Sequence, residues 1–598
     1  MLKKILTVLV ALMFAQTSFA NTLDKINGPQ DVKKLSVKQM NSLAQDIREG
    51  ILTRVDAIGG HVGPDLGIVE ATIAMHYVFD SPKDKFVFDV SHQTYPHKML
   101  TGRKAGFTNP LEHPEISGYS NPKESAHDHF IMGHTSTSVS LATGMAKARD
   151  LKGEKYNVIA LIGDGSLSGG EAFEGFNNAA VLGSNFIIIV NDNEMSIAEN
   201  QGGLYKNLRL LRDTNGKAEN NIFKAMGFDY YYVPDGNNVE DLIKAFQKVK
   251  DTDHPVVVHI HTLKGKGYKP AETEKEKYHW QLAGFMDKKA ESSAPKETYN
   301  SITADYILNN KSVIAINPAT PGSFNFTPEY RAKLGNRYTD VGIAEQHSVA
   351  YASGIATNGG KPILCVASSF IQRAYDQLSQ DLALNNSPAT ILVYRAGISG
   401  TDMTHLGIFD IPLISNIPNI VYLAPANKEE YMSMLDWSVN QTKYPVAIRV
   451  PTGEIVSTGI KDTTDYSQLN KFQVVEKGQK VAIIGVGEFQ SLAKAVKSEL
   501  KKQGIDATII NPRFVTGLDT QLLDDLKKDH SVVITLESGC VAGGFGEKVA
   551  TYYGDSDMRV FVYGADKEFT DRVPLEELYK QFHLTKEQIV KDIEHDLK

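Results

Sequence analysis

The sequence predicts an α/β protein of three domains, each a mainly parallel sheet flanked by helices. Three observations lead there. The 598 residues exceed what a single hydrophobic core organises and suggest roughly three to four domains. From about Leu35 to Ala271, short β-rich runs alternate with Ala-rich helical stretches, the pattern of parallel βαβ units. The same alternation resumes from about Ile302 and again near Phe472.

Taken in order, Lys3 and Lys4 precede an apolar run from Ile5 to Ala15, and Ser18-Phe19-Ala20 offers small residues where a signal peptidase reads. Residues 1–20 therefore read as a cleaved secretory signal, periplasmic or exported, and are set aside from the fold. The run is too short to span a bilayer, and no later segment has about 18 uncharged apolar residues, so no stable membrane span is expected. The first domain, 21–289, contains strand-like Phe86 to Val90, Val158 to Ile162 and Phe186 to Val190. The polar, Pro-containing stretch Ala290 to Ser301 is a linker. The second domain, 302–460, carries strand-like Ile363 to Ala367 and Ile391 to Tyr394. The third, 465–598, opens with a strand at Val481 to Gly485, a helix at Gln490 to Gln503 and a strand at Ala507 to Ile510.

With 42% hydrophobic and 22% charged residues, the composition is that of an ordinary globular protein. A formal net charge of -8 offers no broad basic surface, which argues against nucleic acid as a partner. Cys365 and Cys540 stand far apart without CxxC spacing, so they read as structural thiols and not as a disulfide framework or zinc site.

The clearest chemical signal is Ile162-Gly163-Asp164-Gly165-Ser166, followed after a helical segment by Ile187 to Met195, which contains Asn191-Asp192-Asn193. Two apolar strands each end in a polar tip, and open parallel sheets collect ligands at the carboxyl ends of their strands. A carboxylate, an amide oxygen and a backbone carbonyl suit Mg²⁺, a hard cation that takes few protein oxygens and completes its shell with phosphate and water. Gly163 and Gly165 let backbone N–H groups approach a diphosphate, and the helix opening near Gly169-Gly170 directs its positive end at the anion. A Gly-Asp-Gly turn alone is common to many tight turns; the spacing to Asn193 makes it informative. The pair resembles the signature of thiamine-diphosphate enzymes, which implies Mg²⁺ held by Asp164, Asn193 and the Met195 carbonyl.

In the second domain, Asp340 to His347 forms a polar island opening into Ala-rich helical sequence. From these residues alone, Glu345 reads equally well as a partly exposed residue at a helix start. Resemblance to transketolase-type enzymes implies instead that Glu345 hydrogen-bonds N1′ of the cofactor's aminopyrimidine ring. Because the diphosphate and pyrimidine modules of that class need not come from one subunit, it also implies a homodimer.

Longer strings narrow the resemblance to the 1-deoxy-D-xylulose-5-phosphate synthase family. They are Gly59-Gly60-His61, Leu66 to Glu70, Asp89 to Lys98, Gly133 to Ser138, Lys264 to Tyr268, Phe370 to Gln377 and Arg395-Ala396-Gly397. The resemblance implies a transketolase-like architecture, with a diphosphate-binding domain, a pyrimidine-binding domain and a C-terminal domain. It also implies decarboxylative condensation of pyruvate with the aldose phosphate D-glyceraldehyde 3-phosphate. Thiamine diphosphate would be held by His92, Gly133, His134, Thr135, Gly163, Asp164, Gly165, Ser166, Asn193, Lys264, Glu345 and Phe370. His61, His92, His134, His405 and Asp402 would join Glu345 in catalysis, imidazoles being able to exchange protons near neutral pH. Arg373, Arg395 and Arg449, with Asp402 and His405, would bind substrate, guanidinium being the forked donor that phosphate calls for.

Three departures bear on the acceptor. Only Gln201 to Asn221 stand where the family usually has a long insertion, the loop Ser399 to His405 is one residue short, and Ala367 occupies a position where a tyrosine is usual. They admit a second reading, a transketolase-like or acyloin-forming enzyme with a different acceptor. The signal-like start admits a third, a non-catalytic thiamine-diphosphate-binding protein of the cell envelope.

Overall fold

The computed structural model describes residues 21–287 and 296–594. The signal-like segment 1–20 and the first half of the expected linker, 290–295, lie outside the described residues. The chain divides into two compact units, Met1–Glu291 and Ser292–Lys598.

In the first unit, strands β1 (Gly60–His61), β2 (Lys85–Phe88), β3 (Val158–Gly163), β4 (Phe186–Asp192), β5 (Asp229–Val233), β6 (Pro255–His261) and β7 (Trp280–Gln281) form two sheets. The larger is five-stranded and wholly parallel, in the order β2-β3-β4-β6-β5, and β1 pairs antiparallel with β7. Every residue of β4 is buried, because its alternating side chains enter separate cores on the two faces of the sheet. Ile187 and Ile189 pack with Leu43, Ile47 and Ile51 of the helix Val37–Ile58 and with Leu242 and Phe246 of the helix Val239–Val249. Ile188 and Val190 pack with Val139 and Ala142 of the helix Ser138–Leu151 and with Phe176 of the helix Gly170–Ala179. Caps fix where these helices begin: Ser36 and Gln39 form a capping box, and the Asn238 side chain accepts from the N–H groups of Glu240 and Asp241.

In the second unit, strands β8 (Val313–Asn317), β9 (Tyr338–Asp340), β10 (Lys361–Ala367), β11 (Thr390–Tyr394), β12 (Val421–Leu423) and β13 (Val446–Arg449) form a six-stranded parallel sheet, ordered β12-β13-β11-β10-β8-β9. A second sheet contains β14 (Gln473–Glu476), β15 (Lys480–Gly485), β16 (Thr508–Asn511), β17 (His530–Cys540) and β18 (Arg559–Ala565), ordered β14-β16-β15-β17-β18. Only β14 runs antiparallel to its neighbour in that sheet. The sequence predicts these two sheets as separate domains, and the two also share one apolar cluster: Ile316, Leu364 and Val393 from one sheet pack with Ile484, Ile510 and Val533 from the other. The end of the expected linker is corrected. Residues 299–301 form the first turn of the helix Tyr299–Asn309, capped by Thr298 and Ser301. Cys365 and Cys540 are buried free thiols. Among the described residues no helix is long and apolar enough to cross a membrane.

Arg449, at the end of β13, braces the two sheets. Its Nε donates to Asp410 Oδ2 at 2.8 Å, Nη1 to the partly exposed Glu488 Oε1 at 3.2 Å and Nη2 to the Ser538 carbonyl at 2.5 Å, the guanidinium itself being buried. Removing one member of a buried ion pair strands the other. Arg449→Met is therefore expected to destabilise the second unit by about 3–5 kcal/mol, read as a lower urea midpoint.

Candidate active site

The expected site residues fall into two groups, one in each unit. In the first, the N–H of Asp164 donates to the Asn191 carbonyl at 3.0 Å, so the tips of β3 and β4 adjoin as the motif spacing requires. Asp164 is 1% exposed. Burial, and next the charge of Asp192, push its carboxyl well above the usual range, against a hydrogen bond from Asn200 Nδ2 at 2.6 Å. The Asn193 side chain folds back to accept from the Met195 N–H at 3.2 Å, which closes the tip that carries both oxygens. Lys264 is buried and donates from Nζ to the Ser196 carbonyl at 2.6 Å; burial lowers its pKa to about 7 against the pull of Asp164.

The two glycines differ. A side chain at Gly165 would stand 3.0 Å from Ser196, so that glycine serves a close approach within the chain, whereas a Cβ at Gly163 would meet nothing within 4 Å. Open space at Gly163, a buried acid beside it, and buried Ser196 Oγ and Asn200 Oδ1 without hydrogen-bond partners are what an anion and its divalent cation would occupy and satisfy. Among the described residues no group of three or more His, Cys, Asp or Glu converges on a metal position.

Residues that sequence reasoning passed over hold these tips in place. Asp192 is buried, and although burial pushes its carboxyl up, His259 and Arg212 outweigh that and hold it at about 2. Arg212 Nη1 donates to Asp192 Oδ2 at 2.5 Å, His259 Nε2 lies 3.0 Å from the same oxygen, and Tyr230 backs His259 at 2.8 Å. Buried Asp89 accepts from the N–H groups of Ser136 and Ser138, and Ser136 Oγ donates to the Ser166 carbonyl, which ties the Gly133-His134-Thr135 strip to the Asp164 turn.

His61 and His92 meet, with ring centroids 4.7 Å apart, and His279 joins them at 5.4 Å and 5.5 Å, with Tyr119 at 6.0 Å from His61. His279 was not among the expected residues. The two-residue pairing of β1 with β7 brings it to His61, and nothing in its charged surroundings, Glu276-Lys277-Tyr278, announces that contact. Burial, then Lys264, pushes its pKa well below the usual histidine value, and its Nδ1 is buried without a partner. Val90 and Ser91, which lead into His92, both have left-handed φ, at 57° and 64°. A β-branched residue rarely adopts that conformation, and such strain gathers where a chain must aim a side chain.

In the second unit, Glu345 opens the helix Glu345–Thr357 and is 2% exposed, which rules out the solvent-exposed helix-start reading. Burial raises its pKa, opposed by Arg373, whose Nη1 lies 3.4 Å from Oε2. Phe370 stands edge-on to His405 at 5.6 Å. His405 Nδ1 lies 3.2 Å from Asp402 Oδ1, and the carboxyl is held at about 2: burial opposes this, and His405 and Thr404 outweigh it. Arg395 is exposed with a φ of 52°. Arg449 is buried, its guanidinium engaged by Asp410, Glu488 and the Ser538 carbonyl.

Two parallel-sheet units with a metal-anion turn in one and a buried acid in the other define a transketolase-type enzyme, and family models agree. The transketolase pyrimidine-binding domain matches residues 294–456 and the transketolase C-terminal domain residues 470–589. Residues 23–219 and 214–262 match the model of 1-deoxy-D-xylulose-5-phosphate synthase. The 1-deoxy-D-xylulose-5-phosphate synthase of Clostridium tetani is 38% identical, over 96% of this chain and 99% of its own length. That of Carboxydothermus hydrogenoformans is 38% identical, over 95% and 98%. The chain belongs to the 1-deoxy-D-xylulose-5-phosphate synthase family.

The raised pKa of Glu345 sets the sign of a pH effect. A carboxyl whose folded pKa lies above its unfolded value stabilises the fold below that unfolded value, and this contribution is lost as pH rises through the folded one. Without cofactor, the melting temperature should carry a downward component as pH rises from the ordinary value of 4.5. Glu345→Gln should remove that component, as calorimetry across this range would check.

Proposed function

We infer that the chain condenses pyruvate with D-glyceraldehyde 3-phosphate, releasing CO₂ and giving 1-deoxy-D-xylulose 5-phosphate, with thiamine diphosphate and Mg²⁺ bound. The cofactor, when bound, supplies the carbanion chemistry. Asp164, Asn193 and the Met195 carbonyl hold the cation, and the space at Gly163, Lys264 and the Gly133–Thr135 strip receive the diphosphate. With the cofactor bound, Glu345 would hold a proton at its carboxyl for N1′ of the pyrimidine ring, and Phe370 would offer that ring an apolar face. His61, His92 and His134, with His279, act on the substrate's oxygens. Arg373 and Arg395 take the phosphate of the acceptor, and Asp402 and His405 orient its hydroxyl and carbonyl groups. Two chains associate as a homodimer.

Glu345 is the observation that carries this reading. Its carboxyl is sealed at the head of a helix, where burial raises its pKa and so favours the protonated form, as proton placement requires. Glu345→Gln should lower CO₂ release from pyruvate at least about 100-fold while cofactor binding, followed by titration calorimetry, stays within a few-fold. Asp164→Ala should lose Mg²⁺-dependent cofactor binding itself. Turnover of the Gln variant at the parental rate would remove Glu345 from the mechanism. A different aldehyde acceptor is the second reading, favoured by Ala367, whose small side chain is buried at the end of β10. Product mass from several aldehydes separates the two.

The charged start, apolar run and Ser18-Phe19-Ala20 support export of the chain. N-terminal sequencing of protein recovered from the host envelope should read from Asn21; a start at Met1 would reject cleavage.

A further inference from the structure

Asp402 and His405 sit on the loop Ser399–His405. The loop partly satisfies itself: the N–H of Thr404 donates to Asp402 Oδ1 at 3.0 Å, and that of His405 to the Asp402 carbonyl at 3.1 Å. Its base is closed by the Gly397 N–H donating to the Gly407 carbonyl, and by the Ile398 N–H donating to Ser538 Oγ at 3.1 Å. Two backbone groups at its tip find partners elsewhere, on the segment following β18. The Arg572 N–H donates to the Thr401 carbonyl at 2.8 Å, and the Met403 N–H donates to Asp571 Oδ1 at 3.3 Å. The approach is close: a Cβ on Gly400 would stand 2.7 Å from the Val573 carbonyl. Arg572 meets the loop with a left-handed φ of 54°, a conformation that a non-glycine residue keeps only when its surroundings hold it. Phe569 packs against Phe409 at 6.0 Å on the same side.

We propose that Asp571–Val573 is a clamp for the Ser399–His405 loop, with Asp571 as a positioning residue that sets how far Asp402 and His405 reach toward a phosphorylated aldehyde acceptor. Backbone polar groups need partners, and the clamp donates to the Thr401 carbonyl and accepts from the Met403 N–H. The C-terminal sheet thereby contributes to acceptor selection without touching substrate. The inference rests on the reading of Asp402 and His405 as acceptor residues.

The test uses the full chain with thiamine diphosphate and Mg²⁺, comparing Asp571→Ala, Asp571→Asn and Gly400→Ala. Two readouts are followed: hydrogen exchange of the peptide 399–407, and steady-state kinetics with pyruvate and glyceraldehyde 3-phosphate varied separately. Asp571→Ala should speed exchange in the loop and raise KM for the aldehyde about tenfold, the loss of one hydrogen bond to a carboxylate, leaving KM for pyruvate within about twofold. Gly400→Ala should act in the same direction by wedging the loop from Val573. Asp571→Asn, whose amide oxygen accepts the same N–H, should restore both readouts. Unchanged exchange in Asp571→Ala and Gly400→Ala overturns the clamp. Faster exchange with an unchanged aldehyde KM overturns its role in acceptor selection. A parent protein that binds cofactor but never turns over the aldehyde instead overturns the reading of the reaction, which exchange alone would not disturb.

Discussion

A parallel sheet covered on both faces leaves polar chemistry one outlet, the carboxyl ends of its strands, and the first unit is organised by that constraint. Along β4, Ile187 and Ile189 are committed to one core and Ile188 and Val190 to the other. The first polar residue along it is Asn191, which pairs with the last residue of β3, Gly163. The neighbouring strand ends likewise, at Gly163, and Asp164 follows immediately. The metal-anion turn is thus where two strands run out of core. Its buried acid is costly to ionise without a cation, which makes the geometry of the tips depend on what they bind.

Holding such a turn takes rigid partners, and the structure uses carboxylates for this. Asp192 is fixed by Arg212, His259 and Tyr230 on one side of the tip, and Asp89 fixes the Ser136–Ser138 strip on the other. The strained run Val90-Ser91 belongs to the same arrangement: Ser91 Oγ donates to the Met132 carbonyl and accepts from the Ser120 N–H, so hydrogen bonds offset the backbone cost of aiming His92. Precision at the site is therefore a property of the groups behind it.

The parts of this design that were legible in the sequence share a local cause. β-branched runs such as Phe186 to Val190 specify a buried strand by composition alone, and the Gly-Asp-Gly and Asn-Asp-Asn tips follow from where the runs stop. β9 and β12 have three residues each, too few for a period to register, and β14 is a polar edge. His279 was missed because its partner His61 is more than two hundred residues away and the strands joining them have two residues each. The apolar cluster shared by two expected domains was equally hidden, since an apolar residue such as Ile484 does not declare whether it faces its own sheet or another. Arg449 shows the opposite case: a guanidinium in a matching motif suggested phosphate, while its partners Asp410, Glu488 and Ser538 lie far along the chain.

That contrast separates braces from sites more reliably than burial does. Arg449 and Asp164 are equally hidden from solvent. Around Arg449, donors and acceptors match: Asp410 takes the guanidinium and the Tyr422 hydroxyl, and Glu488 and Ser538 take the rest. Around Asp164 they do not: Ser196 Oγ, Asn200 Oδ1 and, on the histidine side, His279 Nδ1 are left over. Unpaired buried polar atoms cost stability, and a fold that keeps several beside one strained turn and one open glycine does so where a ligand repays them. The same accounting describes the loop 399–405: its Thr401 carbonyl and Met403 N–H are matched by the Arg572 N–H and Asp571 Oδ1, so the loop is held by protein.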